Sequence, residues 1–315
     1  MAARLGEDFL YICHMTPFIS IIIPFYGTAD PVLLQRCITS IREQGMEEGS
    51  YEIIVADDNG KGLGGARNRG IGRATGIYLM FVDADDYLFP NISYCFSYLL
   101  KYTPDICSFR MCKVKKEDLQ PHSSSWHWEV YASGAEYMSR NNFTGNSCRH
   151  FFHRDFINRC GLLFAESCYH EDEDFMVRAY FRAETTLITD YPVYAYFMNP
   201  SSITHRFSLE MRLRRLSDFY AMLCRVRNLY LSLELTGATN SIGSIAVKRR
   251  LSFLTIDYVR LLVRNRSPRL KEQFKEMRRD GFLPLSGPVY TWKYRIARIV
   301  INFLFSYENT TDWRM

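Results

Sequence analysis

From Asp57 to Gly70 the sequence reads DDNGKGLGGARNRG. Gly60, Gly62 and Gly65 have the spacing of a dinucleotide-binding turn, and Asp85 follows twenty residues after Gly65. Such a turn belongs after the first strand of its unit, with a single acid at the next strand end to receive ribose hydroxyls. Here an earlier strand precedes it. FISIIIP, from Phe18 to Pro24, is the continuous apolar, β-branched run expected of a strand buried on both faces of a parallel sheet. YEIIVAD, Tyr51 to Asp57, is then the second strand, and the downstream acid is one of three in Asp83-Ala84-Asp85-Asp86. The glycine loop departs from an NAD-type fingerprint in both respects.

Working outward, strand and helix alternate. Asp30-Pro31 is a helix start, with a cap before Pro at the first helical position. Leu33, Leu34, Cys37, Ile38 and Ile41 follow at helical spacing. Ala66 to Ala74 reads as a short helix, Ile77 to Asp83 as a third strand, Ile92 to Tyr102 as a helix and Asp105 to Val114 as a fourth strand. This alternation implies a parallel sheet with ligands at the carboxyl ends of its strands. Lys115 to His170 breaks into shorter mixed segments, Asp172 to Arg182 looks helical, and strongly helical, basic sequence follows His205. The expected division is an extension over 1–17, a nucleotide-binding domain over 18–205 and a helical C-terminal region over 206–315.

The chain has 315 residues and a net charge of +5. Residues 1–205 carry 18 Lys+Arg against 25 Asp+Glu, and residues 206–315 carry 21 against 9. The −7 and +12 halves imply a cation partner for the first and an anionic surface or phosphate for the second. No nucleic-acid partner is expected. Nine scattered cysteines without a CxxC pair fit reduced thiols in a cytosolic protein. Neither a secretory signal nor a bilayer-spanning run is evident, and Met15 before Thr16-Pro17 reads as a natural start.

Three strand ends converge on one sheet edge: Pro24-Phe25-Tyr26, Asp57-Asp58-Asn59 and the DADD cluster. A ring can stack on a base, an acid can meet base or ribose, and clustered carboxylates invite a hard divalent cation shared with phosphates. IIIPFYG, IIVADDN and GLGGARNRGIGRATGIYLMFVDADD, in that order, resemble the inverting glycosyltransferase family 2 of GT-A (Rossmann-like) fold, over roughly residues 18–205. The resemblance implies an α/β domain with a mostly parallel central sheet and transfer of a sugar from a nucleotide-diphosphate donor, UDP before GDP, with Mn²⁺ or Mg²⁺. It implies a glycan or lipid-linked acceptor, bacterial cell-surface polysaccharide synthesis, and a cytoplasmic enzyme peripheral to the inner face of the membrane.

By the same resemblance Pro24 and Tyr26 line the base pocket and Asp57 contacts the base. Arg67 and Asn68 lie on the helix flanking the donor, with Arg67 near base or phosphate. Asp83 faces the ribose and Asp85 the metal. GLLFAESCYHEDEDF resembles the acceptor-side segment, with Asp172 as base and Glu171 orienting the acceptor; Asp174 is an alternative two residues on. NPSSITH resembles the segment closing over the diphosphate, with His205 as a metal ligand or phosphate partner. Gly27 and His170 depart from the residues usual in the family, while His150 and His153 read as structural. A catalytically silent nucleotide-sugar-binding partner subunit is the alternative, and an NAD-type dinucleotide-binding oxidoreductase a further one. Finally, from Trp292 to Phe305 a helical wheel groups Arg295, Arg298 and Asn302 opposite Trp292, Ile296, Ile299 and Phe303, an amphipathic helix suited to an anionic bilayer interface.

Overall fold

The structure is a computed structural model that describes residues 16–25, 30–115, 121–123, 125–198, 208–238 and 240–307. Tyr26, Gly27, the 199–205 segment with His205, and residues 1–15 lie outside the described residues. By its contacts the chain divides into two compact units, Met1–Gly134 with Gly145–Arg206, and Ala135–Thr144 with Phe207–Met315.

The first unit is built on one eight-stranded sheet. Along the chain come β1 (Ile19–Phe25), α1 (Pro31–Arg42), β2 (Tyr51–Asp57), α2 (Gly62–Arg73), β3 (Tyr78–Phe81), β4 (Tyr87–Leu88), α3 (Phe96–Tyr102), β5 (Ile106–Val114) and β6 (Trp128–Tyr131). After α4 (Gly134–Arg140) follow β7 (His150–His153), α5 (Arg154–Arg159), α6 (Glu171–Arg182) and β8 (Thr186–Phe197). The strand order is β2-β1-β3-β7-β5-β8-β4, with β6 on β8. β1 pairs in parallel with β2 and β3, and β5 with β8. β7 runs antiparallel between β3 and β5, which leaves those two pointing the same way. Five strands thus share a direction, and β4, β6 and β7 oppose them.

Ile19, Ile21, Ile22 and Ile23 are fully buried, as the apolar run of β1 demands. Asp30 caps α1 by accepting from the Val32 N–H at 2.9 Å. α2 starts at Gly62, four residues before the start read from the sequence. The cause is local: Asp58 Oδ2 accepts from the Gly62 N–H, satisfying a donor that the helix start would leave open. α2 then lies directly on β1, where a Cβ at Gly70 would overlap Ile22 Cγ2. Beneath the carboxyl end of β3, Phe164 stacks on Phe175 at 3.9 Å and meets Phe81 edge-on at 5.2 Å, fixing the entry of α6.

The second unit holds residues 135–144 and the helices α7 (Leu209–Leu235), α8 (Ile242–Arg264), α9 (Leu270–Arg279) and α10 (Trp292–Tyr307). Ser208 and Ser241 cap α7 and α8 through their hydroxyls. Met222 and Leu223 of α7 and Ile256 and Leu262 of α8 are fully buried, with Phe219 and Tyr258 rings 5.5 Å apart. None of the described helices is long and apolar enough to cross a membrane.

Candidate functional site

The carboxyl end of β3 carries the acidic cluster, and the structure sorts its members. Asp86 is buried; its Oδ2 accepts from the Tyr194 hydroxyl and its Oδ1 from the Phe197 N–H, both at 2.7 Å. The same hydroxyl accepts from the Asp83 N–H at 3.0 Å, so β8 anchors the turn. Burial, then the Asp83 and Asp85 charges, push the Asp86 carboxyl up to about 8. Asp85 is held by its backbone, where the carbonyl accepts from Arg36 Nη2 at 2.7 Å. The Asp85 carboxyl is also raised, by burial and by Asp83. Asp83 turns to a cation on α2.

That cation is Arg67, and it goes inward. The side chain is 1% exposed, and Nη2 donates to Asp83 Oδ1 at 3.0 Å. Nη1 donates to Glu171 Oε1 at 2.9 Å and to Asp172 Oδ1 at 3.0 Å. One guanidinium therefore joins the strand-end acid to the pair at the start of α6, across 104 residues of sequence. A planar fork suits this three-way task as an ammonium would not.

Asp172 Oδ1 also accepts from the fully buried Ser147 hydroxyl at 2.7 Å. Burial, with the Glu171 and Asp83 charges, outweighs Arg67 and Ser147 and pushes the Asp172 carboxyl up to about 7. The remaining acids of α6 go elsewhere. Glu173 lies against Gly145, where a Cβ would overlap its Oε2, and Asp174 pairs with Arg178 at 2.9 Å. Glu171 and Asp172 are thus the acids of α6 that share Arg67 with Asp83.

The other expected residues take distinct places. Pro24 lies in β1, paired with Ala56 of β2. Asp57, exposed at the end of β2, pairs with Arg69 at 3.0 Å. Asn68 clamps the chain ahead of α6: its Nδ2 donates to the Phe164 carbonyl and its Oδ1 accepts from the Phe164 N–H, at 3.0 and 2.8 Å. His150 is buried, with Nε2 2.9 Å from the Tyr180 hydroxyl, and desolvation holds its pKa well below the ordinary value. It is a core residue. Ser147, Tyr194 and Arg36 escaped the sequence reading. The Asn146 carboxamide that caps the Ser147 turn was the only local signal, and it speaks of a turn, not of chemistry.

A divalent cation fits the donor set at Asp83 and Asp85. Both offer hard carboxylate oxygens, and a positive ion would relieve the repulsion that raises Asp85. No group of three or more potential protein ligands occurs among the described residues. A Mg²⁺-type ion does not require one, because water and substrate phosphates complete its shell.

The glycosyl transferase family 2 model matches residues 20–61 and 59–168. EpsH of Bacillus subtilis strain 168, named as a glycosyltransferase, is 26% identical over 231 residues, 62% of this chain and 65% of that protein. The uncharacterized glycosyltransferase EpsJ of the same organism is 28% identical over 227 residues, 60% of this chain and 64% of that protein. The match therefore spans just under two thirds of either relative's length. Among solved structures, S. aureus TarS 1-349 in complex with UDP-GlcNAc superposes with a TM-score of 0.53. That match covers 94% of this chain and 93% of the other at 14% identity, a likeness of fold. The matched family model and the GT-A-like sheet agree on one region: over residues 20–168, just under half of the chain, the sequence is similar to glycosyl transferase family 2.

Proposed function

We propose that the chain is an inverting transferase that moves a sugar from a nucleoside diphosphate, with UDP as carrier, to a hydroxyl of a glycan or lipid-linked acceptor. The place of that reaction is bacterial cell-surface polysaccharide synthesis, with the protein peripheral on an anionic membrane face. The observation that carries the reaction is the Arg67 bridge, which puts Asp83 and the Glu171–Asp172 pair on one guanidinium. TarS, complexed with UDP-GlcNAc, supports the choice of a UDP sugar.

In this reading Pro24, Tyr26 and Asp57 receive the base, Asp83 the ribose, and Asp85 with Asp83 a Mn²⁺ or Mg²⁺ ion. His205 is a further candidate for metal or phosphate. When bound, the ion supplies positive charge against the departing diphosphate. Asp172 takes the proton from the acceptor hydroxyl as the new bond forms. Its Oδ1 already receives hydrogen bonds from Arg67 and Ser147, so Oδ2 is the oxygen that accepts the proton. A carboxyl near 7 suits that task better than an ordinary one, since a base is most effective with a pKa near the working pH. Glu171, tied to the same Arg67 nitrogen, orients the acceptor side. Arg67 acts through these carboxylates rather than on the donor itself. Asn68 acts likewise, by holding the loop that leads into α6.

UDP release from a panel of UDP sugars, with Mn²⁺ or with chelator, tests the reading. Metal-stimulated release is expected, with Asp172→Asn at least about 10²-fold slower and donor affinity nearly unchanged. Donor binding without any release would identify a silent binding subunit instead. Near-full turnover in Asp172→Asn would remove the base.

A further inference from the structure

We propose that α10 seats the protein on an anionic lipid surface by an apolar face turned outward. This rests on the membrane-facing reading above and gives it a surface. Trp292, Ile296, Ile299, Val300, Phe303 and Leu304 are each 49–66% exposed. Their spacing of three and four residues keeps them on one side of the helix. The opposite side is turned to the rest of its unit, and much of what it carries there is polar. Asn302 accepts from the Leu285 N–H at 2.7 Å and donates to the Leu285 carbonyl at 2.9 Å. Arg298 donates to the Gly287 carbonyl at 2.7 Å, and the Tyr294 hydroxyl to Asp257 at 3.0 Å. Only Ile301, among the large aliphatic residues of the helix described with their side chains, is buried. A helix packed on a globular core does the reverse. Single exposed apolar side chains are ordinary, but six contiguous ones mark an interaction face.

Charge says what covers it. At about 100° per residue, Lys293 and Arg295, both exposed, fall on opposite borders of the stripe. Their stems can lie along the apolar face while their charges reach headgroups. From Gly281 to Tyr307 the sequence has Lys293, Arg295 and Arg298 and no acidic residue. A second copy of the same face would bring like charges together, whereas phospholipid headgroups of negative charge complement them. The helix rises about 24 Å over its 16 residues, and no described helix has the apolar length to cross a bilayer. It is therefore suited to lie in the interface plane, with Trp292 at the headgroup level.

The test is flotation of the full chain with vesicles of phosphatidylcholine, alone or mixed with phosphatidylglycerol. Binding to the anionic vesicles, weakened by salt, is expected. Ile299→Glu combined with Phe303→Glu should lower the partition coefficient at least about tenfold. Lys293→Gln combined with Arg295→Gln should lower it on anionic vesicles only, by about fivefold for each charge removed. Every changed residue is exposed, so melting temperature and UDP release should match the unsubstituted protein. Flotation by a protein that releases no UDP would uphold this proposal while refuting the catalytic reading. The proposal is overturned by absent flotation or by glutamate variants that float unchanged. It is also overturned by a concentration-dependent dimer that those variants abolish, which would make a second copy the occupant.

Discussion

Asp172 has one oxygen engaged and one open, and its environment works against its charge. Two of its near neighbours, Glu171 and Asp83, are also acids, and Arg67 must serve all three. A carboxyl raised to about 7 takes up a proton in the folded state that the unfolded chain releases near its ordinary value of 3.8. Between those limits the folded state binds more protons, so this residue makes the protein less stable as pH rises from about 4 to about 7. The stability difference between Asp172→Asn and the unsubstituted protein should therefore favour the mutant more at pH 8 than at pH 5. Thermal melts at the two pH values measure it; an equal difference at both would show that Asp172 is not held in this strained state. The acid cluster and the ED pair were legible as residues, from a strand end and a helix start. Arg67 was legible only as a basic residue on a helix. Nothing in local spacing says that its guanidinium turns inward to partners 16 and 104 residues away.

At the scale of elements, the glycines of α2 serve close approach. Gly64 faces the Ala165 carbonyl and Gly70 faces Ile22, each leaving no room for a Cβ. Gly70→Ala gains about 1 kcal/mol of helix propensity. It forces overpacking against a fully buried strand, which costs roughly 1–3 kcal/mol and more where backbone cannot shift. Net destabilisation is expected, partly relieved by Ile22→Ala, which removes the atoms in conflict. Denaturant melts of the two single mutants and the double mutant test this; strict additivity would mean the two sites do not touch. β1, buried on both faces, and β2, an edge strand with Ile54 and Ala56 buried, could both be read from apolar runs. β7 escaped because HFFH is only four residues long, and β8 because Asp190 and Pro192 interrupt its pattern. The stripe of α10 was visible on a helical wheel. That Asn302 and Arg298 would hold the opposite side through the backbone at residues 285 and 287 was not.

At the scale of the whole molecule, the chain leaves the sheet-bearing unit at residue 134, returns at 145 and passes finally into the helical unit after Arg206. The excursion is short but well anchored within the helical unit. Arg250, 1% exposed, donates to the Asn142 carboxamide and the Phe143 carbonyl at 2.8 Å each, with its guanidinium 4.0 Å over the Phe143 ring. The Tyr290 hydroxyl donates to the Met138 carbonyl at 3.1 Å, and Arg249 to the Ser139 carbonyl. A chain ending at Arg206 keeps residues 135–144 but loses every one of these partners. Met138 and Phe143 are then left to water, and the acceptors that Arg250 and Tyr290 satisfied must find it too. Such a chain should melt earlier than the full chain. In the full chain, Arg250→Met should act in the same direction, by about 1–3 kcal/mol, because it strands the buried Phe143 carbonyl. Differential scanning calorimetry on the three proteins decides the matter. A shortened chain that melts in one transition at the full chain's temperature would show that residues 135–144 do not depend on the helical unit.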